Sequence, residues 1–134
     1  MIIGIGTDLV DIRRIQRLID AQGARFLEKT FTHSEIEGAS KYGTDQLRAS
    51  YFAKRFAAKE AFAKATGKGF GEDVAFLGIE VHSKPSGQPC IKLHGKTKEI
   101  LYKSFDKVKI KIDLSLSDEY PMAQANVVIS TDNK

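Results

Sequence analysis

Asp45-Gln46-Leu47-Arg48-Ala49-Ser50-Tyr51-Phe52-Ala53-Lys54-Arg55-Phe56-Ala57-Ala58-Lys59-Glu60-Ala61-Phe62-Ala63-Lys64-Ala65 is the stretch on which the fold turns. Ala49, Phe52, Ala53, Phe56 and Ala57 recur at the i, i+3, i+4, i+7 spacing of a helix with an apolar face. Gly67, Gly69 and Gly71 then break it.

Working outward, residues 2–7 read as a short strand, with Gly4 and Gly6 permitting close backbone packing. Thr7 and Asp8 precede Leu9, Ile12, Ile15 and Ile19, a helical spacing that Gly23 ends. Arg13, Arg14 and Arg17 fall between those apolar positions on an outer face. Thr32-His33-Ser34-Glu35 is a capping-box pattern opening another short helix. Downstream, Val74–Val81, a turn over Pro85–Pro89 and Ile91–Leu93 read as a hairpin. Thr97–Phe105 reads as a helix. Val108, Ile110, Ile112, Leu114 and Leu116 alternate with polar residues as a half-buried strand. A last strand begins at Met122. The chain reads as one α+β domain over residues 1–130, with a mainly antiparallel sheet packed on the long helix and a polar tail over 131–134.

Composition sets outer bounds. The 134 residues, 42% hydrophobic and 28% charged, suit one globular domain. The apolar runs are too short to span a bilayer, and the N-terminus does not read as a signal peptide. Cys90 is the lone cysteine, so no intramolecular disulfide forms and a reducing cytoplasm is the simplest compartment. A net charge of +4 favours an acidic partner without naming it.

Glu60 is the residue that most needs explaining. It extends the apolar stripe, where a carboxylate is costly unless paired or bound to a cation. From periodicity alone, an ion pair with Lys64 one turn on is the simpler account. Asp8 taken alone is a helix N-cap. Two carboxylates brought together could hold Mg²⁺ beside substrate phosphates. The Gly67–Gly71 run could cradle phosphates with its amides, but it lacks nucleotide-motif spacing and serves equally as a helix C-cap. His33, His82 and His94 are scattered without ligand spacing. A small basic nucleic-acid-binding protein would explain the arginines but leaves Glu60 unexplained, and no aromatic-basic strand motif supports it.

Gly4-Ile5-Gly6-Thr7-Asp8-Leu9-Val10-Asp11-Ile12 resembles the opening signature of the holo-acyl carrier protein synthases. Phe31-Thr32-His33-Ser34-Glu35 and Arg55–Ala65, with its Lys59-Glu60-Ala61, resemble their next two motifs. The turn with Gly87 and Pro89 and the Leu114-Ser115-Leu116-Ser117 strand follow in the family's order. The resemblance implies a small phosphopantetheinyl transferase fold, one lobe of the larger two-lobed enzymes. It implies that Asp8 and Glu60 bind Mg²⁺ with the pyrophosphate of coenzyme A, and that Lys64 lies near the phosphates. Arg55, Gly67, Gly69, Gly87 and Pro89 would help hold the nucleotide. A serine of acidic acyl carrier protein would attack the β-phosphorus, and adenosine 3′,5′-bisphosphate would leave. Arg13, Arg14 and Arg17 become the docking face, and a homotrimer with coenzyme A between subunits is implied. A non-catalytic coenzyme A-binding relative is the alternative, opposed by the retained Asp8, Glu60 and Lys64.

One departure stands out. Many members carry histidine in the closing segment, where this chain has Asp113 and Asp118. A histidine mechanism therefore does not carry over. Asp113 is expected either to orient the attacking serine beside the pyrophosphate or to pair with Lys111 on a polar strand face.

Overall fold

A computed structural model describes residues 1–71, 73–105 and 109–132. Strand β1 (Ile2–Asp11) leads into the short helices α1 (Ile12–Gln22), α2 (Ala24–Thr30) and α3 (His33–Gly38). The long helix α4 (Asp45–Thr66) follows, and a 3₁₀ turn (Phe76–Gly78) enters the hairpin β2 (Ile79–Ser83) and β3 (Pro89–Leu93). Helix α5 (Gly95–Ser104) and strands β4 (Lys109–Glu119) and β5 (Met122–Asp132) complete the described chain. The strands form an antiparallel sheet ordered β1-β5-β4 and an antiparallel β2-β3 hairpin. This is the expected α+β architecture.

Helix α4 is the spine. Thr44 caps its start by accepting the Leu47 N–H at 3.1 Å. Gly67, at φ +76°, closes its end, where only a residue without Cβ is unstrained. The apolar stripe is wider than the spacing predicts, because Ala53, Ala57, Ala58 and Ala61 are all fully buried. Small side chains on several faces let α4 be enclosed by the sheet on one side and by Phe31, which packs on the helix's own Phe52, on another.

The sheet can approach because β1 carries glycine where it crosses α4. A Cβ on Gly4 would strike the Ala65 carbonyl oxygen, and one on Gly6 the Ala61 carbonyl oxygen. Both obstacles are helix backbone, which cannot rotate aside. Gly6→Ala is expected to destabilise the fold by about 3 kcal/mol, roughly a 10 °C fall in Tm for a chain of this size. Thermal unfolding followed by circular dichroism checks it, and an unchanged Tm would contradict the close approach.

Several boundaries differ from expectation, and the hairpin expected from Val74 begins only at Ile79, because Phe76–Gly78 form the 3₁₀ turn. β1 runs on to Asp11 because β5 pairs with it as far as Met122. Leu9 is consequently an exposed strand residue, and Asp11 rather than Asp8 caps α1 by accepting the Arg13 N–H at 2.9 Å. Helix α2 was not anticipated, since Gly23 reads as a terminator yet turns the chain directly into a second helix. β5 extends through Asp132, and buried Thr131 donates its N–H to the Met1 carbonyl at 2.8 Å. The strand therefore passes the expected start of the tail at 131. Val108, Asn133 and Lys134 lie outside the described residues.

Candidate active site

The register of the sheet decides which β1 residues meet α4. Asp8 shares the parity of Gly6 and pairs with Ala125, which lies opposite Leu116, so its side chain faces the helix. There it meets Lys64, whose Nζ donates to Asp8 Oδ1 at 3.1 Å and to the Thr7 carbonyl at 3.0 Å. Glu60 lies one helical turn before Lys64 on the same face. Burial pushes the Glu60 carboxyl above its ordinary range, and the nearby Asp8 charge pushes it further. Lys64 and Arg14 pull it partly back.

The simpler account of Glu60 is thereby set aside. Lys64 pairs with Asp8 across elements, and Glu60 takes no hydrogen bond or ion pair among the described residues. Two carboxylates sit close enough to feel one another, one of them without a proton donor. Lys64 and Arg14 offset that repulsion and the cost of burial only in part, and a further cation would relieve them. Among the described residues, no group of three or more His, Cys, Asp or Glu could hold a metal by itself. A hard divalent ion suits such a pair, since Mg²⁺ takes one or two carboxylates and completes its shell with water and phosphate oxygens.

The three arginines of α1 separate. Arg14 lies 5.5 Å over the Phe56 ring, one turn before Glu60, and belongs to this cluster. Arg13 is bound to Asp11 through its Nε at 2.9 Å and Nη2 at 2.7 Å. With its hydrogen bonds taking the largest part, Arg13 holds the Asp11 carboxyl down at about 2. Arg13 and Arg17 line a groove of about 420 Å³ with Gln16, Asp20, Asp45 and Tyr120.

Other predicted site residues stand apart within one chain. Arg55 is five residues before Glu60, roughly 140° around the axis. It stacks 3.6 Å over the Tyr51 ring, and its buried Nε has no partner among the described residues. The N–H groups of Gly67, Gly69 and Gly71 are committed to the carbonyls of Lys64, Ala63 and Val74. The loop is thus a helix cap whose glycine amides are already in use. Gly87 and Pro89 sit at the hairpin turn, with no hydrogen bond to Asp8, Glu60 or Lys64 among the described residues. Asp113 shares a row with Val128 and Ile5 on the sheet face opposite Asp8, and lies 3.7 Å from Lys111. Asp118 holds β4 to α4, accepting from the Ser50 hydroxyl at 2.9 Å. The histidines are locally engaged: His33 with Glu37, His82 with Cys90 and His94 with Glu80.

Sequence reading missed Lys59 and Glu35 as partners. The capping box is present as expected, with Thr32 and Glu35 exchanging bonds. Yet Glu35 also accepts from the Lys59 ammonium at 2.7 Å, and both side chains are fully buried. The available signal was a lysine among alanines on a helix enclosed on several sides.

The family model of the 4′-phosphopantetheinyl transferase superfamily matches residues 4–125. A holo-[acyl-carrier-protein] synthase of Wolbachia pipientis is 47% identical over 129 residues, covering 96% of this chain and 98% of that protein. The crystal structure of the Neisseria meningitidis holo-[acyl-carrier-protein] synthase superposes with a TM-score of 0.87 at 36% identity, covering 97% and 99% of the two chains. The Bacillus anthracis holo-(acyl-carrier-protein) synthase in complex with CoA (3′,5′-ADP) gives 0.80 at 32%, covering 98% and 99%. The matched span takes in β1 and all of α4, the two elements whose packing assembles Asp8, Glu60 and Lys64, and the chain belongs to the 4′-phosphopantetheinyl transferase superfamily.

Proposed function

We propose that the protein transfers 4′-phosphopantetheine from coenzyme A to a serine of apo acyl carrier protein, in support of fatty acid synthesis. The observation that carries this reading is the convergence of Asp8, Glu60 and Lys64 from β1 and α4, in a chain of this family. The serine oxygen forms a bond to the β-phosphorus, the bond to adenosine 3′,5′-bisphosphate breaks, and the serine proton is released.

Asp8 and Glu60 would hold Mg²⁺, whose charge when bound offsets that of the pyrophosphate. The Lys64 ammonium, already at Asp8, orients phosphate oxygens on the same side. Arg14 adds a second positive charge where negative charge collects. Gathered in this way, the groups work mainly by position and electrostatics, which is what phosphoryl transfer demands.

Assembly belongs to the same proposal. The face of β1-β5-β4 turned away from α4 carries Ile5 and Leu9, 67% and 62% exposed. Arg55, Gly67, Gly69, Gly87, Pro89 and Asp113 stand apart from the cluster within one chain, so a role for them in holding coenzyme A calls for a site shared between copies of a trimer. Among the described residues no helix is long and apolar enough to cross a membrane. A cytoplasmic site of action fits the single unpaired Cys90.

Mass spectrometry of apo carrier protein incubated with this protein, coenzyme A and Mg²⁺ tests the class. A gain of one phosphopantetheine is expected, and an unmodified carrier would overturn the reading. Docking is tested separately. Arg17→Glu should raise KM for carrier protein roughly tenfold at low salt and leave KM for coenzyme A unchanged, because rim charges act on encounter. Equal effects on both substrates would move Arg17 out of the docking face.

A further inference from the structure

Helix α4 meets the sheet through alanines. Ala57, Ala58, Ala61 and Ala65 share one side of α4, where Gly4 and Gly6 of β1 approach Ala65 and Ala61, and apolar contact is non-directional. Such packing holds α4 against the sheet but resists rotation and sliding only weakly. The Asp8 and Glu60 pair needs those two motions suppressed. Each helical residue turns by about 100° and rises about 1.5 Å, so a small error in α4 displaces Glu60 directly.

Lys59 supplies a directional constraint one residue away. Its side chain is 0% exposed. The ammonium donates to Glu35 Oε1 at 2.7 Å, the Thr30 carbonyl at 2.8 Å and the Phe76 carbonyl at 3.0 Å. An ammonium has three protons, and all three are taken. Glu35 is equally committed, since its oxygens also accept the Thr32 N–H at 2.8 Å and the Val81 N–H at 2.9 Å. One buried pair therefore ties α4 to the end of α2, the start of α3, the 3₁₀ turn and β2.

The tie extends to the glycine loop. The Phe76 ring stacks on Phe70 at 4.0 Å and on Phe56 at 5.5 Å, and Phe56 lies beneath Arg14. The carbonyl that Lys59 holds thus belongs to the residue on which the 67–71 loop rests.

We infer that Lys59 is a positioning residue that touches no substrate: with Glu35 it locks the rotation of α4 and the place of Phe76, and so sets Glu60 against Asp8. This rests on the reading of Glu60 as a metal-holding carboxylate. A buried ion pair adds little net stability over apolar residues of similar size, so its loss can be separated from unfolding.

The test pairs Lys59→Met with Glu35→Gln, removing both charges so that neither is left alone. The double variant should stay folded by circular dichroism. Its kcat should fall roughly 10- to 100-fold, and its affinity for Mn²⁺ in the presence of coenzyme A, read by electron paramagnetic resonance, by a similar factor. KM for carrier protein should not move. A folded double variant with wild-type kcat and Mn²⁺ affinity would overturn the inference. Should it not fold, the labelling of the wild-type lysines decides instead.

The wild-type protein gives an independent reading through acylation of its lysines by an amine-directed reagent. Lys64 should label and be protected by coenzyme A with Mg²⁺, whereas Lys59 should stay unlabelled in both conditions. Lys59 that labels freely and is protected by coenzyme A would be a substrate-contacting group, and the inference would fail. Lack of transferase activity in the wild type would instead count against the proposed function, leaving the burial of Lys59 legible by labelling.

Discussion

Asp8→Asn and Glu60→Gln each lower kcat by roughly 10³-fold, the scale expected when a site loses several kcal/mol of metal-derived charge stabilisation. Each removes one of two carboxylates at a site where Mg²⁺ has few protein ligands to spare. Steady-state rates over a Mg²⁺ titration check this, and near-wild-type activity at limiting Mg²⁺ would remove the metal assignment. The second half of the result concerns stability. Burial first, and then the charge of Asp8, raise the Glu60 pKa above its ordinary value of 4.5. A raised carboxyl favours the fold when protonated and costs stability as pH climbs through its folded-state value. Near neutrality the metal-free wild type carries that cost and Glu60→Gln does not. The variant should therefore unfold at a higher temperature than the metal-free wild type at neutral pH. At pH 4 and below the difference should vanish. An inactive variant that is also less stable at neutral pH would mean that Glu60 has a local partner after all.

Ile5→Glu and Leu9→Glu should convert a trimer into a monomer and remove most of the activity with it. Both side chains stand on the open face of the sheet, in rows completed by Val128 and Gln124. An isolated exposed hydrophobe is ordinary, but these two share one face of a three-stranded sheet and both stand exposed among the described residues. A buried, unpaired carboxylate at a subunit interface costs several kcal/mol per copy, repeated around the ring. The monomer fold should survive, because neither residue packs on α4. Light scattering gives the assembly state, and activity is measured on the same fractions. A wild-type monomer with full activity would remove both the trimer and the shared site.

Local patterns were legible where the chemistry is local. The Thr32 to Glu35 capping box, the glycine end of α4 and the alternation along β4 need only neighbours a few residues apart, and each is present in the fold. Boundaries set by distant partners were not. β1 outran its expected end because β5, more than 110 residues downstream, offered hydrogen bonds as far as Asp11. No window of ten residues contains that information. The helical reading of Leu9 failed for the same reason: a spacing compatible with helix was overridden by a strand partner.

The candidate site divides along the same line. Motif order was enough to indicate the family, and the resemblance marked Asp8, Glu60 and Lys64 as a set, whereas the cost of a carboxylate on an apolar helix face only singled out Glu60 as needing a partner. Which groups meet was decided by packing. Periodicity pairs Glu60 with Lys64; the crossing of β1 over α4, made possible by Gly4 and Gly6, gives Lys64 to Asp8 and leaves Glu60 open. The split of Arg14 from Arg13 and Arg17, and the burial of Lys59 against Glu35 at 2.7 Å, arise between elements brought together only by the fold. Sequence by itself indicated the family, and through it the class of chemistry, because motifs in a fixed order are a property of the chain alone. Read residue by residue, it pairs Glu60 with Lys64 and makes Asp8 a helix cap. Tertiary structure alone decided their partners, because an ion pair or a metal site depends on distances of a few ångströms between residues far apart in the chain.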